Sequence, residues 1–333
     1  VLAFGRQNLF SGAPAASKNA PIAQSNLDAK EIEGLNLGQD IPMLLNMQPG
    51  TVVSSDAGAG IGYTDIRIRG TDGTRTNVTV NGVPINDAES QGTYWVNMPD
   101  LASSAQNIQV QRGVGTSTNG AGAFGASINI LTDAIAEKAS AEITNTFGSY
   151  NTRKHNVKFS TGTLNNHFEI AGRLSQINSD GYIDRATSDL KSYFLQASYV
   201  DDNTLIKAIT FGGHEVTYQA WNGIDAETLA TDRTFNPSGM YTDENGLVKF
   251  YENEEDNYKQ APQLTGNNLV FTITLIGFKH VSFFLNLSLL SIYYHCALHF
   301  LEVVLFEEYN SNSSLQHCTH PQDCSRSIQL PWT

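Results

Sequence analysis

The chain has 333 residues, with 20 Lys and Arg against 33 Asp and Glu for a net charge of -13, and charged residues make up only 16% of it. Binding to nucleic acid needs clustered cations to neutralise phosphates, so this acidic and cation-poor composition argues against it. Hydrophobic residues at 40% suffice to build a core, which argues against disorder, and three cysteines are too few for a disulfide scaffold.

The composition changes abruptly near residue 261. Residues 1–260 hold 26 of the 28 glycines and no cysteine, whereas residues 261–333 hold all three cysteines and five of the eight histidines. We therefore treat residues 261–333 as a separate C-terminal tail. At the start of the chain no signal-peptide pattern is visible, and the small and polar residues of 1–27 predict an N-terminal linker.

Residues 28–133 predict one compact α+β domain with glycine-rich connections. Asp28 before a short acidic stretch predicts a helix start, and the apolar positions of 41–47 predict a second short helix. Asn81-Gly82 is a strong signal for a β-hairpin. Short strands are predicted at 52–53, 65–69, 78–80, 83–85, 107–112 and 127–131.

Residues 139–260 predict five antiparallel strands, at 141–147, 153–160, 168–177, 192–200 and 205–212. Short turns alternate with long polar loops at 178–189 and 218–258, an arrangement typical of a transmembrane β-barrel. A soluble meander or sandwich uses the same alternation of apolar and polar residues. The pattern alone therefore leaves both architectures open.

Several linked motifs resemble, in order and spacing, the signatures of the plug domain of TonB-dependent outer-membrane receptors. They are DIRIRG at 65–70, VNGVPI at 80–85, VQRGVG at 110–115, GAGAFG at 120–125 and SINI at 127–130. The run NDAESQGTYWVN at 86–97 resembles the longer versions of Bacteroidetes-type receptors. The resemblance covers about residues 20–260. It implies a plug domain at 28–133, followed at 139–260 by antiparallel strands of an incomplete transmembrane β-barrel.

The same resemblance implies a function. The chain would be the N-terminal part of an outer-membrane importer of a scarce ligand, of the siderophore, cobalamin or glycan class, with the plug as its gate. The implied partners are the TonB energy-transducing complex, a small-molecule or glycan ligand and outer-membrane lipid. No cofactor, metal or covalent catalysis is expected, and the histidines of residues 1–260 lie near no nucleophile motif.

Two groups of plug residues are candidate contacts. In the lumen of a barrel the cations Arg67, Arg69 and Arg112 can pair with acids of the barrel wall, whereas a solvated strand face is the simpler interpretation. Loop residues that combine aromatic rings with hydrogen-bonding groups can face ligand: Asn86, Asp87, Glu89, Gln91, Tyr94 and Trp95. The two aromatic rings can equally pack into the plug core.

Two other patterns are better read as structural. GAGAFG fits the dinucleotide pattern G-x-G-x-x-G, but a strand pattern follows it where that fingerprint requires a helix. The acidic run at 252–256 predicts a solvated loop, because like charges repel and stay exposed.

The tail at 261–333 departs from the family pattern, and the sequence assigns it no structure. Residues 281–301 carry no charge and are long enough to cross a bilayer as a helix, while the cysteines and histidines of 317–324 lack the spacing of a zinc site. Barrels that house plugs have about 22 strands. We therefore expect a non-native tail and a truncated chain that neither closes a barrel nor transports. The alternative is a β-rich ligand-binding module anchored to a membrane by the apolar segment.

Overall fold

A computed structural model of the chain describes residues 20–114, 123–201, 204–218, 223–233, 235–250, 263–277 and 303–309. These residues form sixteen strands and three short α-helices, which are α1 (Ala29–Leu35), α2 (Ile41–Leu44) and α3 (Ala226–Thr231). None of the helices in this part of the chain has the length and apolarity needed to span a membrane.

The N-terminal domain, residues 24–132, is built on a five-stranded sheet and a separate hairpin. Its strands are β1 (Gln24–Asp28), β2 (Thr51–Ser55), β3 (Thr64–Ile68), β4 (Thr76–Val80), β5 (Val83–Pro84), β6 (Ala105–Arg112) and β7 (Ala126–Thr132). The sheet has the order β1-β6-β7-β4-β5, and only β4 and β7 are parallel. The hairpin pairs β2 with β3.

Local sequence explains two features of this domain. The side chain of Asp28 accepts a hydrogen bond from the Glu31 backbone at 3.0 Å, and the Glu31 carboxylate accepts one from the Asp28 backbone at 2.9 Å. This reciprocal capping box fixes the start of α1. Asn81 and Gly82 have φ of 51° and 90°, the left-handed values that a two-residue hairpin turn needs between β4 and β5. The predicted helix start and hairpin are confirmed.

The second sheet has seven strands in the order β16-β15-β12-β11-β10-β9-β8, and all neighbours are antiparallel. Its strands are β8 (Ser140–Phe147), β9 (Arg153–Ser160), β10 (Phe168–Ser179), β11 (Ser188–Val200), β12 (Thr204–Tyr218), β15 (Gln263–Gly277) and β16 (Val303–Tyr309). A small hairpin of β13 (Met240–Thr242) and β14 (Val248–Phe250) lies in the connection after β12.

The two faces of strands β8–β12 have opposite character. Polar side chains, including Asn156 and Gln196, are buried on the face that packs against the N-terminal domain. Large apolar side chains are exposed on the other face: Ile143, Val157, Phe159, Ile170, Leu174 and Leu195. A soluble sheet buries its apolar side, whereas a barrel wall turns that side to lipid and keeps its inside polar.

The two ends of this sheet also differ. Residues 148–152, 180–187 and 219–262 connect strands at one end, which we call the long-loop end. Residues 161–167, 201–203 and 278–302 connect them at the opposite end, which we call the short-turn end after the first two. In outer-membrane barrels the longer loops are extracellular and the short turns periplasmic.

The structure corrects two expectations. The predicted linker does not extend to residue 27, because Gln24–Asp28 finds backbone partners on β6 and forms an edge strand. The sheet does not stop at five strands near residue 261, because all fifteen residues of β15 pair with β12 and β16 pairs with β15. The apolar segment 281–301, the Cys and His residues of 317–324 and the acidic run 252–256 lie outside the described residues.

Candidate functional site

A buried ionic cluster centred on Asp100 joins the N-terminal domain to the seven-stranded sheet. The Asp100 carboxylate lies 2.7 Å from Nζ of Lys154 on β9 and 3.2 Å from a guanidinium nitrogen of Arg173 on β10. All three side chains are at most 2% exposed. The negative charge of a buried acid between two cations is compensated from both sides. The cluster therefore links three separate segments of the chain.

Hydrogen bonds complete the surroundings of Asp100. Four side chains donate to its carboxylate at 2.6–3.3 Å, namely Asn36, Ser103, Asn156 and Ser175. The Arg173 guanidinium also donates to the backbone carbonyl of Asp100. Burial would raise the pKa of Asp100, but the charges of Arg173 and Lys154 outweigh it and hold the pKa below its usual value. The carboxylate therefore stays ionised at neutral pH.

Strand register places the two cations on the same face. Lys154 lies opposite Ile177 and Arg173 lies opposite Lys158 in the pairing of β9 with β10. Because side chains alternate between faces along a strand, Lys154, Lys158 and Arg173 all point towards the N-terminal domain. Asp100 meets them from a left-handed backbone conformation, with φ of 55°, just before a tight turn at Leu101–Ser104.

A second set of polar contacts lies at the C-terminal end of β7. Lys158 Nζ pairs with the Asp133 carboxylate at 2.8 Å, and both side chains are partly exposed. Lys207 Nζ on β12 donates to Thr132 Oγ1 at 2.9 Å and to the Asp133 carbonyl at 3.1 Å. In both sets the acids and acceptors come from the N-terminal domain and the cations come from the sheet.

The arginines expected to pair with the wall lie elsewhere. Arg67 is 3.9 Å from Asp65 of its own strand, and both side chains are more than half exposed. Arg112 donates to Ser25 Oγ at 2.6 Å, and burial together with the nearby charge of Arg69 lowers its pKa. Among the described residues, the ion pairs between the N-terminal domain and the sheet are those of Asp100 and Asp133. The domain therefore supplies the acids and the sheet supplies the cations, whereas the opposite arrangement was expected. A wall acid for Arg67, Arg69 and Arg112 stays a prediction.

The 86–95 loop is held together from within by two of its predicted ligand residues. The Asn86 side chain accepts from the Val78 backbone at 2.8 Å and donates to the carbonyls of Thr76 and Gln91 at 2.9 Å each. Asp87 accepts from the backbones of Glu89 and Ser90 at 3.1 and 2.6 Å. Burial alone would raise the pKa of Asp87, but these hydrogen bonds keep it below its usual value. Asn86 and Asp87 therefore shape the loop.

The two aromatic residues of this loop are separated by the fold. Trp95 is 4% exposed and belongs to the core that the domain shares with Phe194 and Phe211 of the sheet. Tyr94 is 40% exposed, and its hydroxyl lies 3.3 Å from Ser90 Oγ. Glu89 and Gln91 are also exposed. For Trp95 the core interpretation holds, because its ring is buried between the N-terminal domain and the sheet.

A cavity of about 350 Å³ opens beside this loop. It lies between the β3 segment and residues 90–95, with Tyr94 and Trp95 in its lining. Two of the predicted ligand residues are thus brought together at a concave surface, whereas the others are not part of its lining. No group of three or more His, Cys, Asp or Glu side chains placed to hold a metal ion occurs in the part of the chain that the structure describes.

Asp100, Lys154 and Arg173 could not be recognised as a cluster from the sequence. Asp100 and Arg173 have uncharged neighbours, Lys154 follows Arg153, and Asp100 and Lys154 are 54 positions apart. One signal was present, because Lys154 and Arg173 occupy the inward positions of strands whose alternate positions include apolar residues. Which acid these two cations pair with depends on how the N-terminal domain packs against the sheet, and a strand pattern carries no information about that packing.

Comparison with known proteins agrees with this architecture. Residues 16–127 match the family model described as TonB-dependent Receptor Plug Domain. The chain is 25% identical over 241 residues to a probable TonB-dependent siderophore receptor, PirA, of Acinetobacter baumannii, covering 66% of this chain and 30% of that protein. It is 32% identical over 153 residues to the vitamin B12 transporter BtuB of Vibrio vulnificus, covering 46% of this chain and 24% of that protein.

Solved structures extend the likeness to the fold. FpvA of P. aeruginosa, solved bound to heterologous pyoverdines, superposes with a TM-score of 0.57 at 14% identity, over 81% of this chain and 34% of that chain. The chain therefore spans about a third or less of the length of the relatives it matches. The predicted fold class, a plug domain followed by antiparallel strands of an incomplete barrel, is confirmed.

Proposed function

We propose that this chain, whose residues 16–127 match the TonB-dependent receptor plug domain, is the N-terminal part of an active importer of a scarce small ligand in the Gram-negative outer membrane. The N-terminal domain is the plug, and the seven-stranded sheet is part of the barrel wall. Ligand would bind where the plug faces the long-loop end. The TonB complex would then pull on the N-terminal segment and open a path beside the plug.

The observation that carries this proposal is the pairing of a polar inner face with an apolar outer face on one sheet. The inner face holds Lys154, Arg173 and Gln196 against the plug, and the outer face exposes Ile143 and Leu174. Such a sheet is stable only where its outside meets lipid and its inside meets a polar body. No covalent step is part of the proposal, since binding and gating are sufficient for import.

The relatives bear on the ligand class. One is described as a siderophore receptor and another as a vitamin B12 transporter. We therefore keep ferric siderophores, cobalamin and glycans as the proposed ligand classes. The described wall has seven strands, whereas closed barrels that contain a plug have about 22. The proposal accordingly includes that the 333-residue chain alone does not transport.

Deletion of the gene in the producing bacterium tests the proposed function. We expect uptake of one radiolabelled ferric siderophore, cobalamin or oligosaccharide to fall to the level of a strain without TonB, and complementation to restore it. The protein should fractionate with the outer membrane. Unchanged uptake across the panel, or recovery in the inner membrane, would contradict the importer, and the second result would favour the anchored binding module. Heat-modifiable gel migration of the 333-residue chain would contradict its expected inactivity.

A further inference from the structure

Two buried carboxyl groups come together where the plug packs on β12. Asp40 directly precedes α2 in the plug and is 5% exposed, and Glu215 lies on β12 of the wall and is 6% exposed. Burial, and then the charge of Glu215, raise the pKa of Asp40 to about 8. Neither side chain forms an ion pair with a cation of the described residues. We call these two residues the Asp40–Glu215 pair.

The plug holds the Asp40 carboxyl at its contact with the wall. An Asp before a helix usually accepts hydrogen bonds from the first turn, but this side chain makes no such bond with α2. It accepts instead from Thr64 Oγ1 at 2.9 Å and from the Gly62 backbone. Gly62 itself packs on the wall, since a Cβ there would lie 3.0 Å from Ser188 Oγ and 4.0 Å from a methyl carbon of Thr217. The Asp40 carboxyl is therefore bonded to a plug segment that touches β11 and β12.

The wall leaves space for the Glu215 carboxyl but supplies no partner for it. Glu215 lies opposite Gly266 in the pairing of β12 with β15, and a Cβ at Gly266 would lie 2.6 Å from Glu215 Oε1. Its Oε2 is buried and makes no hydrogen bond within the described residues. Thr217, two residues later on the same inward face, is fully buried, and its Oγ1 is unpaired there as well. An ionised carboxyl without a partner is costly to bury, so the closed contact requires the pair to hold a proton.

The surroundings of the pair do not compensate its charge. Besides burial and Glu215, the charge of Asp100 raises the pKa of Asp40. Lys154 packs against Gly38, two residues before Asp40, but its ammonium lies 2.7 Å from Asp100, and Arg173 lies 3.2 Å from the same carboxylate. Both cations are therefore committed to Asp100. The inward positions beside Glu215 on the neighbouring strands are uncharged: Ser188, Leu190 and Ser192 on β11, and Gly266 on β15.

We propose that the Asp40–Glu215 pair is a proton-controlled contact between the plug and the wall. While the pair retains a proton, α2 and residues 60–62 stay packed on the wall. When that proton is lost to water, two like charges remain in a water-poor contact, and this side of the plug separates from β12. The Asp100 cluster stays bound, because its acid is already ionised and paired with two cations. The inference goes beyond the proposed function, since it concerns a contact within this chain and assigns no ligand.

Infrared titration of the 333-residue chain, refolded in detergent micelles, tests whether the pair holds a proton. A protonated carboxyl absorbs separately from a carboxylate, and the difference between chains with and without Asp40→Asn isolates Asp40 in each background. In the parent chain we expect this absorption to disappear around pH 8. Asp184→Asn, which removes an exposed acid outside the pair, should leave the midpoint unchanged.

Two substitutions should move that midpoint in opposite directions. Glu215→Gln removes the repelling charge and should lower it by about one pH unit. Thr64→Val removes a hydrogen bond to the Asp40 carboxylate and should raise it by about one pH unit. A purely structural role for these residues would not produce opposite shifts.

Acrylamide quenching of Trp95 tests whether the contact opens. Trp95 is buried between the plug and the wall, and its neighbour Val96 packs with Ile61 and Leu190 beside the pair. Acrylamide is uncharged, so its quenching reports exposure of the ring. In a background where Trp221 and Trp332 are Phe, we expect quenching in the parent chain to rise about twofold above pH 8. The double variant Asp40→Asn, Glu215→Gln should show no such rise.

Three results would overturn the proposal: no carboxyl of the pair titrates near pH 8, Glu215→Gln leaves the midpoint unchanged, or quenching of Trp95 does not follow the titration. If a variant of the pair does not refold, Thr64→Val keeps both carboxyls and must still shift both measurements to higher pH. Ligand uptake by the bacterium enters neither measurement, so this inference and the proposed function fail separately.

Discussion

Replacing Asp100 with Asn tests whether the buried cluster holds the plug to the wall. The substitution keeps the size of the side chain but leaves Lys154 and Arg173 buried beside a neutral group. Removing one partner of a buried ion pair costs about 3–5 kcal/mol, a large share of the roughly 5–15 kcal/mol that stabilises a typical domain. With a urea dependence of about 2 kcal/mol per molar, the unfolding midpoint should fall by about 2 M.

The assay is urea unfolding of the refolded chain, followed by the fluorescence of buried Trp95 in a background where Trp221 and Trp332 are Phe. The matched control is Asp133→Asn, because the Asp133 carboxylate pairs with Lys158 in a partly exposed position. That pair should contribute about 1 kcal/mol or less. If Asp100→Asn lowers the midpoint no more than Asp133→Asn does, the cluster is not the main ionic anchor of the plug.

The ionisation of Asp100 provides a second measurement. Its folded pKa lies below the unfolded value of about 3.9, so its contribution is present above that pH and is lost as the pH falls towards the folded pKa. The parent chain and Asp100→Asn should therefore converge below about pH 4. Changing all three residues together, with Asp100→Leu, Lys154→Met and Arg173→Met, should recover most of the stability, because no unpaired charge then remains buried.

Three further comparisons probe the plug in the same urea assay. Burial raises the pKa of Asp40 from 3.8 to about 8, and because this folded pKa lies above the unfolded one, stability should fall as the pH rises from about 4 to about 8. Asp40→Asn should reduce that slope, and equal slopes would contradict the assignment. Trp95→Ala, in a chain that keeps another tryptophan as reporter, should cost about 3–5 kcal/mol, whereas Tyr94→Ala should cost under about 1 kcal/mol; similar losses would place both rings alike. Gly58 has φ of 70° and a Cβ would lie 2.9 Å from a tyrosine ring, so Gly58→Ala should destabilise by about 1–2 kcal/mol, while Gly34→Ala in open space on α1 should stabilise slightly; a stabilising Gly58→Ala would refute the close contact.

Local patterns predicted the elements, and long-range packing decided the contacts. The turn at Asn81-Gly82 and the strand Arg153–Ser160 follow from residues that are adjacent in sequence, and both were predictable. Phe168–Ser179 runs two residues beyond its predicted end, because pairing with β11 continues to Ser188. Strand ends of this kind depend on a partner and not on propensity.

The candidate site was less predictable for a related reason. The sequence identifies which plug residues are charged, but it does not show which of them are buried. That Arg67 is exposed and Asp100 is buried depends on how the wall packs against the plug. Trp95 shows the same limit, since its ring is covered partly by Phe194 and Phe211 of another unit.

The order of the contacts along the chain decides which part of the plug yields first under tension. β1 is an edge strand held by five residue pairs with β6, and Gln24 pairs with Gln111 at its start. A pull on the N-terminal side opens such an antiparallel edge one pair at a time, and the hydrogen bond from Arg112 to Ser25 breaks among the first contacts. Asp100 lies much later in the chain. Its release would leave Lys154 and Arg173 buried without a counter-charge, which costs about 3–5 kcal/mol. Under the proposed function, we therefore expect tension on the N-terminal segment to detach β1 and α1 while the segment around Asp100 stays on the wall, so that the plug is not expelled as a whole.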